Sequence, residues 1–364
     1  MAGVRLKEIT KRYGKVVALD QLSLEVMDGE FVVMLGPSGC GKSTALFTIA
    51  GLETADEGEI YIGERVVNEV EPKDRDVALV FQNYALYPHM TAEQNIAFPL
   101  KMRKINESEI KVRVKRIAET LRIDHLLARK PAQMSGGEAQ RVALARAMVR
   151  EPVVFLMDEP LSNLDANLRL HMRVELKRIQ KELKVTTIYV THDQAEAMTM
   201  GDRVAVIRQG TLQQFGTPDE IYSQPKNSFV ASFVGSPPMN LIEGELRLDG
   251  HRASFTSADL SLQLPESLAM SLGHDAGPSK VSLGIRPEDL STSAPGFDLL
   301  ARGVVYVVEP LGSHSIVDVK LGDTIFKVQE GARYPHDVGD EVELRFRAEG
   351  LHVFKSTDDG KAIA

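Results

Sequence analysis

Five consecutive apolar residues, Phe31 to Leu35, are too few for a helix and carry a Val pair; they predict a buried strand. Upstream, Arg5–Ile9 and Leu22–Val26 read as strands, and Asp28-Gly29 reads as a hairpin-type turn. Downstream, Ser43–Gly51 is compatible with a helix. Within residues 101–130, Ile110, Val114, Ile117 and Leu121 recur at spacings of four, three and four, which predicts an amphipathic helix. The basic residues beside them (Lys111, Arg113, Lys115, Arg116) form its solvated face. A second helix is expected from about Glu138 to Val149. Val153–Met157 and Thr186–Val190 are further buried-strand runs, with a long helical pattern, Leu168–Leu183, between them. Arg203–Ile207 adds one more strand. Buried strands separated by helices predict a mainly parallel α/β sheet.

The pattern changes at Gly235-Ser236-Pro237-Pro238. Beyond it come short alternating runs with turns between them: Gly303–Val308, Ser315–Lys320, Thr324–Gln329 and Glu341–Arg347. They predict a second, all-β domain, sandwich or barrel. The boundary is placed at residues 1–235 and 236–364, with a helical subdomain at about 90–150.

The chain has 364 residues, 43% hydrophobic and 26% charged, the composition of a globular protein. Its net charge of −8 gives no bulk attraction to nucleic acid, and no aromatic and basic stacking platform is visible. Cys40 is the one cysteine, so an intramolecular disulfide is impossible and a reducing compartment is expected. The first residues, MAGVRLKEITKRYG, do not read as a signal peptide. No stretch approaches the roughly 20 apolar residues of a membrane span, so any link to a membrane is expected to run through a partner.

Three motifs carry chemistry. Gly36-Pro37-Ser38-Gly39-Cys40-Gly41-Lys42-Ser43 has the spacing G-x-x-x-x-G-K-S, between a predicted strand and a predicted helix. Its glycines let backbone N–H groups turn in around phosphate oxygens, and the helix N-terminus adds unpaired donors. Lys42 can reach the β- and γ-phosphates and Ser43 can bind Mg²⁺. Cys40, among those N–H groups, is expected to have a stabilised thiolate. The apolar strand ending in Asp158, followed by Glu159, can hold one carboxylate against a metal and place the next to polarise a water. Ser135-Gly136-Gly137-Glu138 has capping-box spacing and also opens a helix with exposed N–H donors; cap and phosphate clamp are compatible.

In this order the three motifs resemble the ATP-binding cassette family over about residues 4–235. Gln82, in Val80-Phe81-Gln82, resembles the family's glutamine loop; Ser162-Asn163-Leu164-Asp165 its aspartate loop; His192 its switch histidine; and Tyr13 its adenine-stacking aromatic. Met134 and Glu138 stand where the signature usually has Leu and Gln. The resemblance implies a P-loop NTPase cassette that binds ATP and Mg²⁺. Tyr13, Gly36 to Ser43, Thr44, Gln82, Ser135, Gly136, Gly137 and Asp165 would surround the nucleotide. Ser43, Gln82 and Asp158 would serve the metal. Glu159, His192, Lys42 and Gln82 would carry hydrolysis.

Phe81 to Phe98, FQNYALYPHMTAEQNIAF, is similar to the ATPases of carbohydrate importers of the maltose type. This implies docking of two transmembrane permease subunits near Tyr84, Leu86, Tyr87, Pro88 and His89, all expected to be exposed. Gly235 to Asn240, Gly284 to Asp289 and Glu309 to Gly312 resemble the same proteins' regulatory domain of OB-like barrels. The expected protein is an ATP-driven import motor, peripheral on the cytoplasmic face of the membrane. It would work as a homodimer, with a solute-binding protein as an indirect partner and no nucleic acid. Importers of polyamine, iron, molybdate or glycerol phosphate remain alternatives, as does a regulator-binding role of the C-terminal domain. DNA-repair and translation cassettes are disfavoured, since the chain lacks both a coiled-coil insertion and a second cassette.

Overall fold

The computed structural model describes all residues except 1, 83, 250–251, 273–278, 295, 357–359 and 364. The chain divides into two compact units, Met1–Asp219 and Glu220–Ala364.

Unit one begins with a hairpin, β1 (Val4–Tyr13) and β2 (Val16–Val26), turned at Gly14 with φ 60°. Then come β3 (Phe31–Leu35), α1 (Lys42–Ala50), β4 (Glu57–Ile62), β5 (Arg65–Val66) and β6 (Val77–Val80). Three helices follow, α2 (Ala92–Met102), α3 (Glu107–Thr120) and α4 (Gly136–Met148). The chain returns through β7 (Val154–Asp158), α5 (Ala166–Leu183), β8 (Thr186–Thr191), α6 (Gln194–Met200), β9 (Arg203–Arg208) and β10 (Thr211–Gly216). The division between the units falls within α7 (Pro218–Ser223).

Six strands form one sheet in the order β10-β9-β3-β8-β7-β6, parallel except for β10. Every residue of β3, β7 and β8 is buried, which explains their unbroken pattern. A second, antiparallel sheet runs β2-β1-β4-β5. Apolar residues of both sheets and of α1, among them Ile9, Leu46, Ile49, Leu156 and Ile188, share one core. Asp28-Gly29 is a turn, but it joins strands of different sheets. The hairpin expected there is instead at Gly14, because β3 pairs with β8 and β9 rather than with β2. β6 has four residues, too short a run to carry a period.

Unit two continues with α8 (Ser228–Phe233), β11 (Asn240–Asp249), β12 (Arg252–Thr256), β13 (Ser261–Gln263), α9 (Glu266–Ser271), β14 (Ser279–Ile285) and β15 (Leu290–Ser291). It ends with β16 (Asp298–Pro310), β17 (His314–Leu321), β18 (Thr324–Gly331), β19 (Glu341–Phe346) and β20 (Leu351–Lys355). Two antiparallel sheets, β13-β12-β11-β14-β20 and β15-β19-β16-β17-β18, share a core that includes Phe255, Leu283, Phe326 and Val353. The second sheet contains the four strands expected from sequence. The first was not legible, because its alternation is broken. At Gly244 in β11, for example, a Cβ would lie 2.4 Å from the Phe255 ring, so the ring occupies the side-chain position.

Candidate functional site

β3 delivers the chain to the phosphate loop, and α1 starts at its end. Gly39 (φ 77°) and Gly41 (φ 105°) take left-handed conformations that only glycine adopts without strain. A Cβ on Gly36 would meet Ile207 O at 2.3 Å, and one on Gly41 would meet Ala18 O at 2.4 Å. The loop is therefore wedged between β9 and β2 with its shape set by backbone. Lys42, only 5% exposed, curls back into this loop, donating from Nζ to the carbonyls of Gly36 and Pro37, each at 2.9 Å. Cys40 is buried, and desolvation pushes its thiol up despite the Lys42 ammonium. The expected stabilised thiolate is thus corrected: the sulfur faces packed protein, and burial outweighs the nearby cation.

Ser43 Oγ donates to Asp158 Oδ1 at 2.8 Å, joining the start of α1 to the end of β7. Burial pushes the Asp158 carboxyl up and the neighbouring Glu159 adds to this, while the Ser43 hydrogen bond and Lys42 pull it down. One hydroxyl and one carboxylate side by side are hard oxygen donors that suit Mg²⁺, which takes few protein ligands and completes its shell with phosphate and water. Among the described residues no cluster of three His, Cys, Asp or Glu could hold a metal. Gln82 is not gathered into this pair. Its Nε2 donates to Ser162 Oγ at 3.2 Å.

Glu159 has φ 42°, an unusual conformation for a residue with a side chain, fixed by its N–H donating to Val190 O at 3.0 Å. Its Oε2 lies 3.0 Å from His192 Nδ1. An ionised carboxylate only accepts, so in this contact the imidazole donates from Nδ1. Ser162 Oγ donates to Glu159 O at 2.8 Å, and Asn163 Nδ2 donates to Gln82 O at 3.0 Å. The glutamine and aspartate loops are thus bonded to each other and to the Glu159 backbone. Asp165 caps α5, accepting from Leu168 N at 2.9 Å.

Tyr13 ends β1 with its ring 46% exposed, and its hydroxyl is raised by burial and by hydrogen bonding to Glu53, with an opposing bond to Thr44. Thr44 follows Ser43 in α1, so the Tyr13 side chain stands beside the phosphate-loop helix, with Lys11 Nζ over its ring at 5.1 Å from the centroid.

Ser135 and Glu138 form the expected capping box. Glu138 Oε2 accepts from Ser135 N (2.7 Å) and Oγ (2.9 Å), and Ser135 Oγ accepts from Glu138 N (3.4 Å). These bonds hold the Glu138 carboxyl below its usual range, and they turn its charge back onto its own cap. Gly137 has a further reason the sequence did not show: a Cβ there would lie 2.6 Å from Leu168 Cδ2. Among the described residues, the side-chain hydrogen bonds of Ser135 and Glu138 are those of the cap.

The Tyr84–His89 segment is only partly open. Tyr87, Pro88 and His89 are exposed, but Tyr84 and Leu86 are half-buried, which corrects the expectation for those two. Tyr84 (φ 58°) and Ala85 (φ 47°) bend the backbone so that the Tyr84 hydroxyl turns in toward Gly136, where a Cβ would stand 3.8 Å from it. Two side chains that no motif flagged hold this bend. Arg146 of α4 donates to Tyr84 O (2.8 Å) and Ala85 O (2.7 Å). Asn95, fully buried in α2, accepts from Tyr87 N (2.9 Å) and donates to Tyr87 O (3.1 Å). Beside the segment lies a groove of about 950 Å³, lined in part by Phe81, Tyr87, Phe98, Arg146 and Arg150.

The chain is similar to known proteins along its whole length. The ABC transporter family model matches residues 19–162, the MalK OB fold domain 235–290 and the TOBE domain 283–354. The trehalose/maltose import ATP-binding protein of Thermococcus litoralis is 52% identical, covering 100% of both chains. The sn-glycerol-3-phosphate import ATP-binding protein of Chromobacterium violaceum is 48% identical over 97% of this chain and 94% of its own. The sulfoquinovosyl glycerol transport ATP-binding protein of Agrobacterium fabrum is 45% identical over 99% of each. Among solved structures, the dimeric post-hydrolysis state of the ATP-binding cassette MJ0796, bound to ADP and Pi, is similar with TM-score 0.54 and 33% identity, covering 59% of this chain and 98% of that one. A phosphate loop closed by Lys42, a Ser43–Asp158 pair beside it, an all-β C-terminal unit and identity along the whole length lead to one assignment: the chain belongs to the import ATP-binding proteins of the ABC transporters, ATPases whose cassette binds ATP.

Proposed function

We propose that this chain is the ATP-hydrolysing motor of an importer for a sugar or related polyol-derived solute. The observation that carries the reading is the convergence of Lys42, Ser43, Asp158, Glu159 and His192 at the ends of β3, β7 and β8. Lys42 exchanges its two carbonyl partners for β- and γ-phosphate oxygens. Ser43 and Asp158 would hold Mg²⁺, which would supply charge neutralisation at the phosphates, and Gln82, bonded to Ser162, would serve the same metal. Glu159 takes the proton of the attacking water, and His192 contacts the γ-phosphate. Tyr13 stacks on the adenine.

Ser135, Gly136 and Gly137 serve the nucleotide of a second copy, with Asp165 at the seam. Two permease subunits dock at Tyr87, Pro88 and His89 and the adjoining groove, placing the protein peripherally at the cytoplasmic face. The solute-binding protein is reached only through them. In this scheme residues 1–235 are the nucleotide-binding domain, with the helical subdomain at about 90–150, and 236–364 are the regulatory domain.

The solute class rests on the relatives, whose names specify trehalose/maltose, sn-glycerol 3-phosphate and sulfoquinovosyl glycerol. Vesicles holding the chain with its permease subunits and binding protein test it. ATP-dependent uptake of a labelled disaccharide or glycerol phosphate is expected; uptake of a metal oxyanion or polyamine instead sinks the solute assignment. Loss of ATP hydrolysis without loss of uptake sinks the motor.

A further inference from the structure

We infer that Arg169 is a positioning residue, which ties the 162–165 loop to the loop carrying His192, so that the two move as one body during hydrolysis. The inference rests on the ATPase reading above. Arg169 lies on the first turn of α5, just after the Asp165 cap. Its Nη2 donates to Leu164 O at 2.9 Å and approaches Ser162 O at 3.5 Å. Its Nη1 lies 3.6 Å from Asp193 Oδ2. One planar guanidinium therefore grips backbone on one loop and a carboxylate on the other, a geometry that a lysine ammonium cannot reproduce.

Asp193 directly follows His192 and is itself held on several sides. Arg173 Nη2 donates to the same Oδ2 at 2.8 Å, and Oδ1 caps α6 by accepting from Glu196 N at 3.1 Å. Asp193 N donates to Thr191 Oγ1 at 3.0 Å, and Thr191 Oγ1 in turn donates to the buried Glu196 carboxyl at 2.7 Å. His192 is thus mounted on a rigid base, and Arg169 is the strut from that base to Ser162–Leu164. The other end of that loop reaches the reacting groups, because Ser162 Oγ bonds both Glu159 O and Gln82 Nε2. Arg169 Nε is buried without an acceptor, a cost that the other two contacts offset. Side chains that orient a reacting group from behind typically matter by roughly 10–100-fold.

The test compares wild type, Arg169→Ala, Arg169→Lys, Asp193→Asn and the double variant Arg169→Ala/Asp193→Asn as full chains. Asn at 193 keeps the cap and removes the charge that Arg169 and Arg173 both face. ATP affinity, kcat, KM and melting temperature are measured for each. The expected result is kcat down on the order of tenfold for Arg169→Ala, with ATP affinity within about twofold of wild type and partial recovery in Arg169→Lys. The double variant should be no slower than the slower single, since both cut one link. A lowered melting temperature with unchanged kcat, or fully additive losses, overturns the inference. If wild type itself does not hydrolyse ATP, the ATPase reading falls and this inference with it; normal wild-type turnover with normal Arg169→Ala turnover removes this inference alone.

Discussion

Glu159 and His192 meet across the ends of two adjacent parallel strands, Oε2 to Nδ1 at 3.0 Å, although 33 positions separate them in sequence. β7 and β8 pair in register from Val154↔Thr186 to Asp158↔Val190, so the residues just beyond their ends must emerge side by side. The Glu159 N–H bond to Val190 O locks the first of them in place. Glu159 thereby has a partner that fixes where it points.

Replacing Glu159 by Gln should leave ATP binding intact and lower turnover by about 10²–10⁴-fold, the usual loss when a positioned base is removed. The Gln can still bond His192 Nδ1, so the fold of the site should persist. Parallel measurement of nucleotide affinity and steady-state phosphate release decides this; near-wild-type release removes Glu159 from the mechanism.

Burial of Asp158 costs stability when its carboxyl is ionised. Burial raises its pKa, so the folded state binds this proton more tightly than the unfolded chain does. Stability from this group is then full below the unfolded carboxylate pKa and is lost as pH rises toward the folded one. Asp158→Asn should raise the melting temperature of the nucleotide-free protein near pH 7 and change it little near pH 4, while weakening the Mg²⁺ dependence of ATP binding. Thermal melts across that range check the sign; a lower melting temperature at neutral pH would falsify the desolvation account.

Gly137 and Leu168 make a compensating pair. Alanine at 137 would place its Cβ 2.6 Å from Leu168 Cδ2, an overlap costing about 1–3 kcal/mol. Shortening Leu168 to Ala in the same chain should recover part of that loss. Denaturant melts of the single and double variants measure it. If both substitutions destabilise independently, the glycine is there for another reason.

At the groove, the Tyr87 ring packs tilted against Phe98, with centroids 4.8 Å apart and an interplanar angle of 55°, and the Arg146 guanidinium lies 5.5 Å from its centroid. Leu86→Ala with Tyr87→Ala should weaken co-purification with the permease subunits, by about 2 kcal/mol or more for a central anchor. ATP binding by the free chain should be nearly unaffected. Retained assembly and transport would show that the partner docks elsewhere. Collapse of ATP binding would instead show that Tyr87 matters for local packing.

The phosphate loop, the Asp158-Glu159 strand end and the Ser135 cap were all legible in sequence, because each is local. A glycine spacing, a strand that is apolar on both faces and a capping box need only neighbours along the chain. The parallel sheet followed from the same strands, since Phe31–Leu35 and Val154–Asp158 have no polar face to turn to water. The hairpin was misplaced because Asp28-Gly29 says only that the chain turns, while pairing of β3 with β8 and β9 decides where it goes. The first sheet of unit two stayed hidden because Phe255 fills the space over Gly244, so its alternation is completed by another strand. The burial of Cys40, the half-burial of Tyr84, the grip of Arg146 on the Tyr84-Ala85 bend and the strut from Arg169 to Asp193 came only from tertiary structure. They depend on which distant carbonyl, ring or carboxylate packing brings within about 3–4 Å, a distance on which spacing along the chain is silent.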